Sequence, residues 1–210
     1  TNTSFPITID SLQTGIINIG ANNSSIGTVS GEMELISSDL PEGISVSLSV
    51  TGVEGNVLNG NLSGPYPSAT YRISGDLIIA TGDTVYLEAG TEFLFDGVYN
   101  FNIYGTLKAI GTEADSIIFD DFGGNYGEWP SDVWRGFKLW GASDETVFEY
   151  VRISGAVKIM FDGGGGMFMA NSNPILTHVT ISGNTVYGEV GMGGGMHLSN
   201  SNPTLTNSII

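Results

Sequence analysis

No catalytic residue is evident, but if this chain were a lyase, Arg135, Lys138 and Arg152 are the candidates to take a proton from carbon. Eliminative cleavage of a uronate polysaccharide needs such a base. It also needs a carboxylate-bound Ca2+ or a second cation to stabilise the enolate. Lys158 is a further cation, and Asp120, Asp121, Asp132, Asp144, Glu145 and Glu149 are the carboxylates nearby. The sequence does not bring three of these groups onto one face. The competing reading is structural, with Lys138 and Glu149 facing each other across adjacent strands as an ion pair.

Asp120 and Asp121 form an acidic doublet of the kind a glycosidase would need as a cluster. Neighbours in a strand point to opposite faces, so the pair could act together only from a loop. Ca2+ is the better use, because it takes oxygen ligands. Asp120, Asp121 and Asp132, which flank the segment Phe122 to Ser131, are the candidate ligands. Inside that segment, Tyr126 and Trp129 could stack on sugar rings, or could pack over a flank of the protein. His178 and His197 sit at non-equivalent positions of the repeat described below, so no histidine metal ladder is expected.

The balance of the chain narrows its partners. Its 210 residues carry 6 basic and 22 acidic side chains, a net charge of −16. Neutralising phosphates needs clustered Lys and Arg, so nucleic acid and anionic membrane surfaces are not expected partners. All six cations lie between Arg72 and Lys158, and from Gly163 to Ile210 Glu189 is the single charged residue. There is no Cys, which removes a disulfide framework and a thiolate metal site. No apolar run approaches the roughly 18 residues that span a bilayer, so membrane insertion is not expected. No signal-peptide pattern opens the sequence, so any signal peptide is expected to have been removed.

Positioning falls to a repeat. Gly-Gly-Gly-Met-Phe-Met-Ala-Asn-Ser-Asn-Pro-Ile-Leu-Thr starts at Gly164, and Gly-Gly-Gly-Met-His-Leu-Ser-Asn-Ser-Asn-Pro-Thr-Leu-Thr starts at Gly193. The offset is 29, and 10 of 14 positions are identical. Such a period points to a stacked solenoid, and the short apolar runs between turn residues make each unit a β-coil. Gly, 31 of 210 residues, suits many tight turns. Two weaker self-matches extend the pattern upstream. Ile73-Ser74-Gly75-Asp76-Leu77 matches Ile103-Tyr104-Gly105-Thr106-Leu107 at an offset of 30, and Asp83 to Leu87 matches Asp115 to Phe119 at 32. A coil of roughly 30 residues would then run from about residue 68 to the end, giving about four to five coils. Asn171 with Asn200, and Asn173 with Asn202, are equivalent positions whose amides are expected to form a structural ladder along the axis.

Residues 1 to 66 read differently. Ile7 to Ile9, Gly15 to Ile19, Gly31 to Ile36 and Ile44 to Val50 are candidate strands, with a turn at Asp39 to Gly43. This points to a small, incomplete β-sandwich. Gly60 to Pro67 reads as a linker. The stretch from Gly27 to Pro41, with Val46 to Gly52, resembles the second half of bacterial immunoglobulin-like modules of the abnormal-spindle/hydin-like group. Ser38 stands where that pattern has Asn, and Leu40 separates Asp39 from Pro41. The resemblance implies a spacer or interaction module without catalytic residues.

From residue 67 to 210 a second resemblance holds. Gly75 to Phe93 is similar to the first coil of secreted bacterial right-handed parallel β-helix proteins, and Gly105 to Thr112 continues the pattern. Trp134-Arg135-Gly136-Phe137, then Phe148-Glu149-Tyr150-Val151-Arg152-Ile153, matches the next coil. The Gly-Gly-Gly-Met and Ser-Asn-Pro repeats resemble those of polymorphic outer-membrane proteins. The resemblance implies an all-β, right-handed parallel β-helix, secreted or on a bacterial cell surface. Enzymes, adhesins and passive stalks share that fold, so it says little of function. The expected role is a non-enzymatic extracellular scaffold or adhesin-like stalk. The alternative is a Ca2+-assisted, lyase-like carbohydrate-active enzyme or a carbohydrate-binding module, with a polysaccharide as partner. The last coil is expected either to continue beyond residue 210 or to dock onto another subunit. Self-association there, with the N-terminal module as acceptor, would build a fibre head to tail.

Overall fold

The computed structural model describes residues 27–37, 40–52, 56–123, 133–159, 163–187 and 193–210. These residues contain strands and turns and no helix. The chain divides into two compact units, Thr1–Glu54 and Gly55–Ile210.

In the first unit, β1 (Gly27–Ser37) and β2 (Leu40–Gly52) pair antiparallel. The register runs from Gly27 opposite Gly52 to Ser37 opposite Leu40, with an irregularity between Leu35 and Ser37. Leu40 to Gly43, expected within a turn, belong to β2. The strands expected at Ile7 to Ile9 and Gly15 to Ile19 lie outside the described residues.

The second unit winds through successive coils, and every strand pairing among its described residues is parallel. The first coil holds β3 (Asn56–Asn61) and β4 (Gly64–Tyr66), and the second holds β5 (Thr70–Ile79) and β6 (Thr84–Leu87). A third follows with β7 (Glu92–Phe95), β8 (Phe101–Ile103) and β9 (Thr106–Ile110). The fourth has β10 (Ile117–Asp121), β11 (Phe137–Trp140) and β12 (Val147–Glu149). Next come β13 (Val151–Ile153), β14 (Val157–Ile159), β15 (Met167–Ala170) and β16 (Ile175–Thr177). The sixth has β17 (Thr180–Ile181), β18 (Thr185–Tyr187), β19 (Met196–Ser199) and β20 (Thr204–Thr206).

Stacking makes three long rows. The front half of β5 continues through β7, β10, β13 and β17, and its rear half through β8, β11, β15 and β19. The third row runs β4, β6, β9, β12, β16 and β20. A short fourth row pairs β14 with β18 in the fifth and sixth coils. The protein is therefore all-β and solenoid-like. The stretch Gly60 to Pro67, expected as a linker, instead supplies the end of β3 and all of β4, paired to β5 and β6. Its Gly and Pro sit on an edge where a missing side chain or N–H costs little.

Coil length is not constant. Tyr71 pairs with Phe93, whereas Ala109 pairs with Phe148, so the later of these two coils is more than half as long again as the earlier. The last coils settle at an offset of 29, with Met167 opposite Met196 and Leu176 opposite Leu205. The upstream self-matches at offsets 30 and 32 are not coil equivalents, because Ile73 aligns with Phe95 and Thr84 with Thr106. β12 and β13 are separated by Tyr150. That residue turns a corner with φ 48°, a conformation a strand cannot contain.

Alternation places every second residue inward. Tyr71, Phe93 and Phe119 stack on the first row, and Leu77, Phe101, Phe137 and Met167 on the second. All are buried. Rings meet edge to face, as between Phe119 and Phe137 at 4.8 Å, or stacked, as between Phe101 and Phe137 at 5.2 Å. Leu176 is fully buried, while Leu205, its partner in the last coil, is 44% exposed. Leu176→Ala is expected to cost about 2–5 kcal/mol and Leu205→Ala well under half of that. Urea midpoints of the two variants check the difference, and equal shifts would contradict the packing.

Candidate functional site

The cations with candidate chemistry lie on different rows. Arg152 is exposed on β13 of the first row, aligned with Ile118 and Thr180. Lys138 lies on β11 of the second row, aligned with Asn102 and Phe168. Arg135 sits on the approach to β11 and donates from Nη1 to the Val157 carbonyl at 2.7 Å. Its partial burial lowers the guanidinium pKa from the usual value, because desolvation disfavours the charge. Lys158, on β14, is buried at 1% exposure, with Nζ 3.4 Å from the Gly163 carbonyl and 5.7 Å from the Phe168 ring.

The expected pairing of Lys138 with Glu149 does not occur across adjacent strands. Glu149 lies on β12 in the third row, between Ile110 and Thr177, and Lys138 on β11 in the second. Charges instead pair between successive coils. Arg72 binds Asp96, with Nε to Oδ2 at 2.6 Å, and Lys108 Nζ lies 3.9 Å from Glu145 Oε2.

Asp120 and Asp121 end β10, so the strand turns them to opposite faces. Asp120 Oδ1 accepts the Asp121 N–H at 2.8 Å, and Asp121 Oδ2 accepts the Gly123 N–H at 3.1 Å. Both carboxylates thus help to end the strand. Asp132, Tyr126 and Trp129 lie outside the described residues. Among the described residues there is no group of three or more His, Asp or Glu side chains placed to hold a metal ion.

Two corners carry side-chain stacks. At one, Gly141, Asn171 and Asn200 all have positive φ, 59°, 48° and 53°. Asn200 Nδ2 donates to Asn171 Oδ1 at 2.9 Å, and beside it Asn202 N donates to Asn173 Oδ1 at 2.7 Å. Asn173 in turn reaches Asp144 at 3.1 Å. Buried Ser172 and its successor Ser201 accept the N–H groups of Ala142 and Ser172 from the preceding coils, which satisfies polar groups water cannot reach. The other corner stacks Tyr150 flat on His178, with centroids 4.4 Å apart, and Asn207 Nδ2 lies 3.1 Å from His178 Nε2. These three also have positive φ. Sequence reasoning missed this stack. Its signal was the nearly constant spacing from Tyr150 to His178 to Asn207, hidden because Tyr, His and Asn share no chemical type.

No protein-family model, no curated protein and no solved structure matches this chain.

Proposed function

We propose that residues 55–210 form a right-handed parallel β-helix that acts as a non-enzymatic scaffold, secreted or on a bacterial cell surface, and that the preceding hairpin belongs to an immunoglobulin-like spacer. The observation that carries this reading is how the polar side chains are used. Asn, Ser, Asp and Tyr at the corners bond or stack from one coil to the next, and the candidate bases Arg152 and Lys138 stand on different rows. Such an arrangement suits a surface that resists distortion more than one that gathers catalytic groups around a substrate.

Incubation with uronate polysaccharides, with and without Ca2+, tests the reading through the ultraviolet absorbance of unsaturated products. No absorbance gain supports the scaffold, and Ca2+-dependent turnover overturns it. In the same reading, head-to-tail assembly uses the coil of β17 to β20, which exposes Leu198, Leu205 and Ile209. A second copy would cover that surface. Light scattering that rises with concentration supports self-association, and a monomer at high concentration counts against it.

A further inference from the structure

Asn59-Gly60 is the one Asn-Gly pair of the chain, and it lies where β3 is least regular. The pairing of β3 with β5 runs from Leu58 opposite Ile73 to Gly60 opposite Leu77, and the register shifts across Asn59. Among the described residues β3 pairs with no strand but β5, so one of its edges is open. Asn59 is exposed, and its Nδ2 donates to Ser74 Oγ at 3.2 Å. Gly60 has φ +75°, and a Cβ placed there would meet nothing within 4 Å. Asparagines of the later coils are held more closely. Asn171 bonds Asn200, and Asn207 lies against His178. All three have positive φ, and each is followed by Ser.

We propose that Asn59 is a site of spontaneous deamidation whose product loosens the first coil. The Gly60 amide nitrogen loses its proton to solvent base and attacks Asn59 Cγ. A C–N bond forms, a cyclic imide closes, and Nδ2 leaves as ammonia. Water then adds to either imide carbonyl and opens the ring, giving aspartate or isoaspartate. No oxidant or reductant is needed. Glycine favours the attack, because it has no side chain to shield its nitrogen and reaches conformations closed to other residues. Ring closure takes the chain at Asn59 out of the extended form, so β3 must first part from β5. A strand held along one edge, at an irregular register, opens at lower free energy than one inside the stack. The exposed bond to Ser74 restrains the side chain little. Aspartate at this place loses the donor to Ser74. Isoaspartate also adds a carbon to the backbone of β3, which moves Gly60 and Asn61 off their partners Leu77 and Ile78. Leu58 and Leu62, which pack on the core from this coil, are then held less firmly.

Incubation of the whole protein in mildly alkaline buffer, with peptide mapping by mass spectrometry over time, tests the proposal. Conversion of Asn59 is expected to run several-fold faster than that of Asn171, Asn200 or Asn207, with isoaspartate among the products. Hydrogen exchange across Asn56–Asn61 should speed up as the protein ages, and Asn59→Gln should remove that change. Leu62→Ala, which loosens the same coil from within, should raise the rate at Asn59 several-fold and leave the other three unchanged. Asn59 converting no faster than the other three, exchange over β3 that is unchanged by ageing, the same ageing in Asn59→Gln, or a rate at Asn59 indifferent to Leu62→Ala would each overturn the proposal.

Discussion

Phe137→Ala should lower stability by about 3–5 kcal/mol, the range for removing a buried aromatic ring. Phe137 is fully buried and meets side chains from three coils. Phe101 lies at 5.2 Å in the coil before, Phe119, Trp134 and Phe148 at 4.8, 5.7 and 5.5 Å in its own coil, and Met167 pairs with it from the coil after. In a stack where each coil touches only its neighbours, stability is a sum of coil and interface terms. The cavity therefore weakens two interfaces at once. Equilibrium urea unfolding followed by circular dichroism reads the loss. Trp140→Ala, on the same strand and facing outward, should change stability by no more than about 0.5 kcal/mol. Similar midpoints for the two variants would show that the inward register is wrong.

That register is legible wherever the sequence repeats itself outright. The offset between the Gly-Gly-Gly-Met motifs aligns Met167 with Met196 and Leu176 with Leu205, as the strands do. Upstream the self-matches mislead, for a physical reason. Ile73-Ser74-Gly75-Asp76-Leu77 carries the chain from the first row to the second, whereas Ile103-Tyr104-Gly105-Thr106-Leu107 carries it from the second to the third. The first lies inside the continuous strand β5, at its register shift against β3, and the second spans the break between β8 and β9. Their likeness therefore does not report a shared place in the coil. The coils also differ in length, short from Tyr71 to Phe93 and long from Ala109 to Phe148, which hides the true period.

The candidate chemistry is less legible than the coils. Residue type marks Arg135, Lys138 and Arg152 as bases, but only the winding decides which row each one stands on. Lys138 and Glu149 are near each other in sequence and yet on separate rows, since a corner intervenes. The outward rings of Trp140, Phe168 and His197 come together only through a register that joins strands a full coil apart. No local pattern contains them. Trp134 shows the converse. Its place just before a strand is visible in the sequence, but its role is not: it stacks on Phe95 at 4.3 Å and donates from Nε1 to the Ser154 carbonyl at 2.8 Å.

The glycine corner gives the second large effect. Gly136→Ala should cost about 3–5 kcal/mol, at the upper end for single substitutions. Two terms add. The residue has φ +72°, where a side chain costs roughly 1–2 kcal/mol. A Cβ there would also overlap the Gly165 carbonyl oxygen and come within 2.7 Å of the Gly166 oxygen. Those oxygens belong to the backbone of the next coil, which is held in turn, with Phe137 N bonded to Gly166 O and Gly166 N to Gly194 O. The clash cannot be relieved by rotating a side chain, so the coils must part. Gly141 separates the two terms. Its φ is +59°, and an added Cβ would meet nothing within 4 Å, so Gly141→Ala should show the backbone term alone, about 1–2 kcal/mol. Gly141→Asn should cost less still, because Asn tolerates this conformation and the next two coils already place Asn171 and Asn200 at that corner. Urea midpoints in the order Gly141→Asn, Gly141→Ala, Gly136→Ala, from highest to lowest, are the expected result. Gly136→Ala falling level with Gly141→Ala would mean that the coils do not approach as closely as the carbonyls of Gly165 and Gly166 imply.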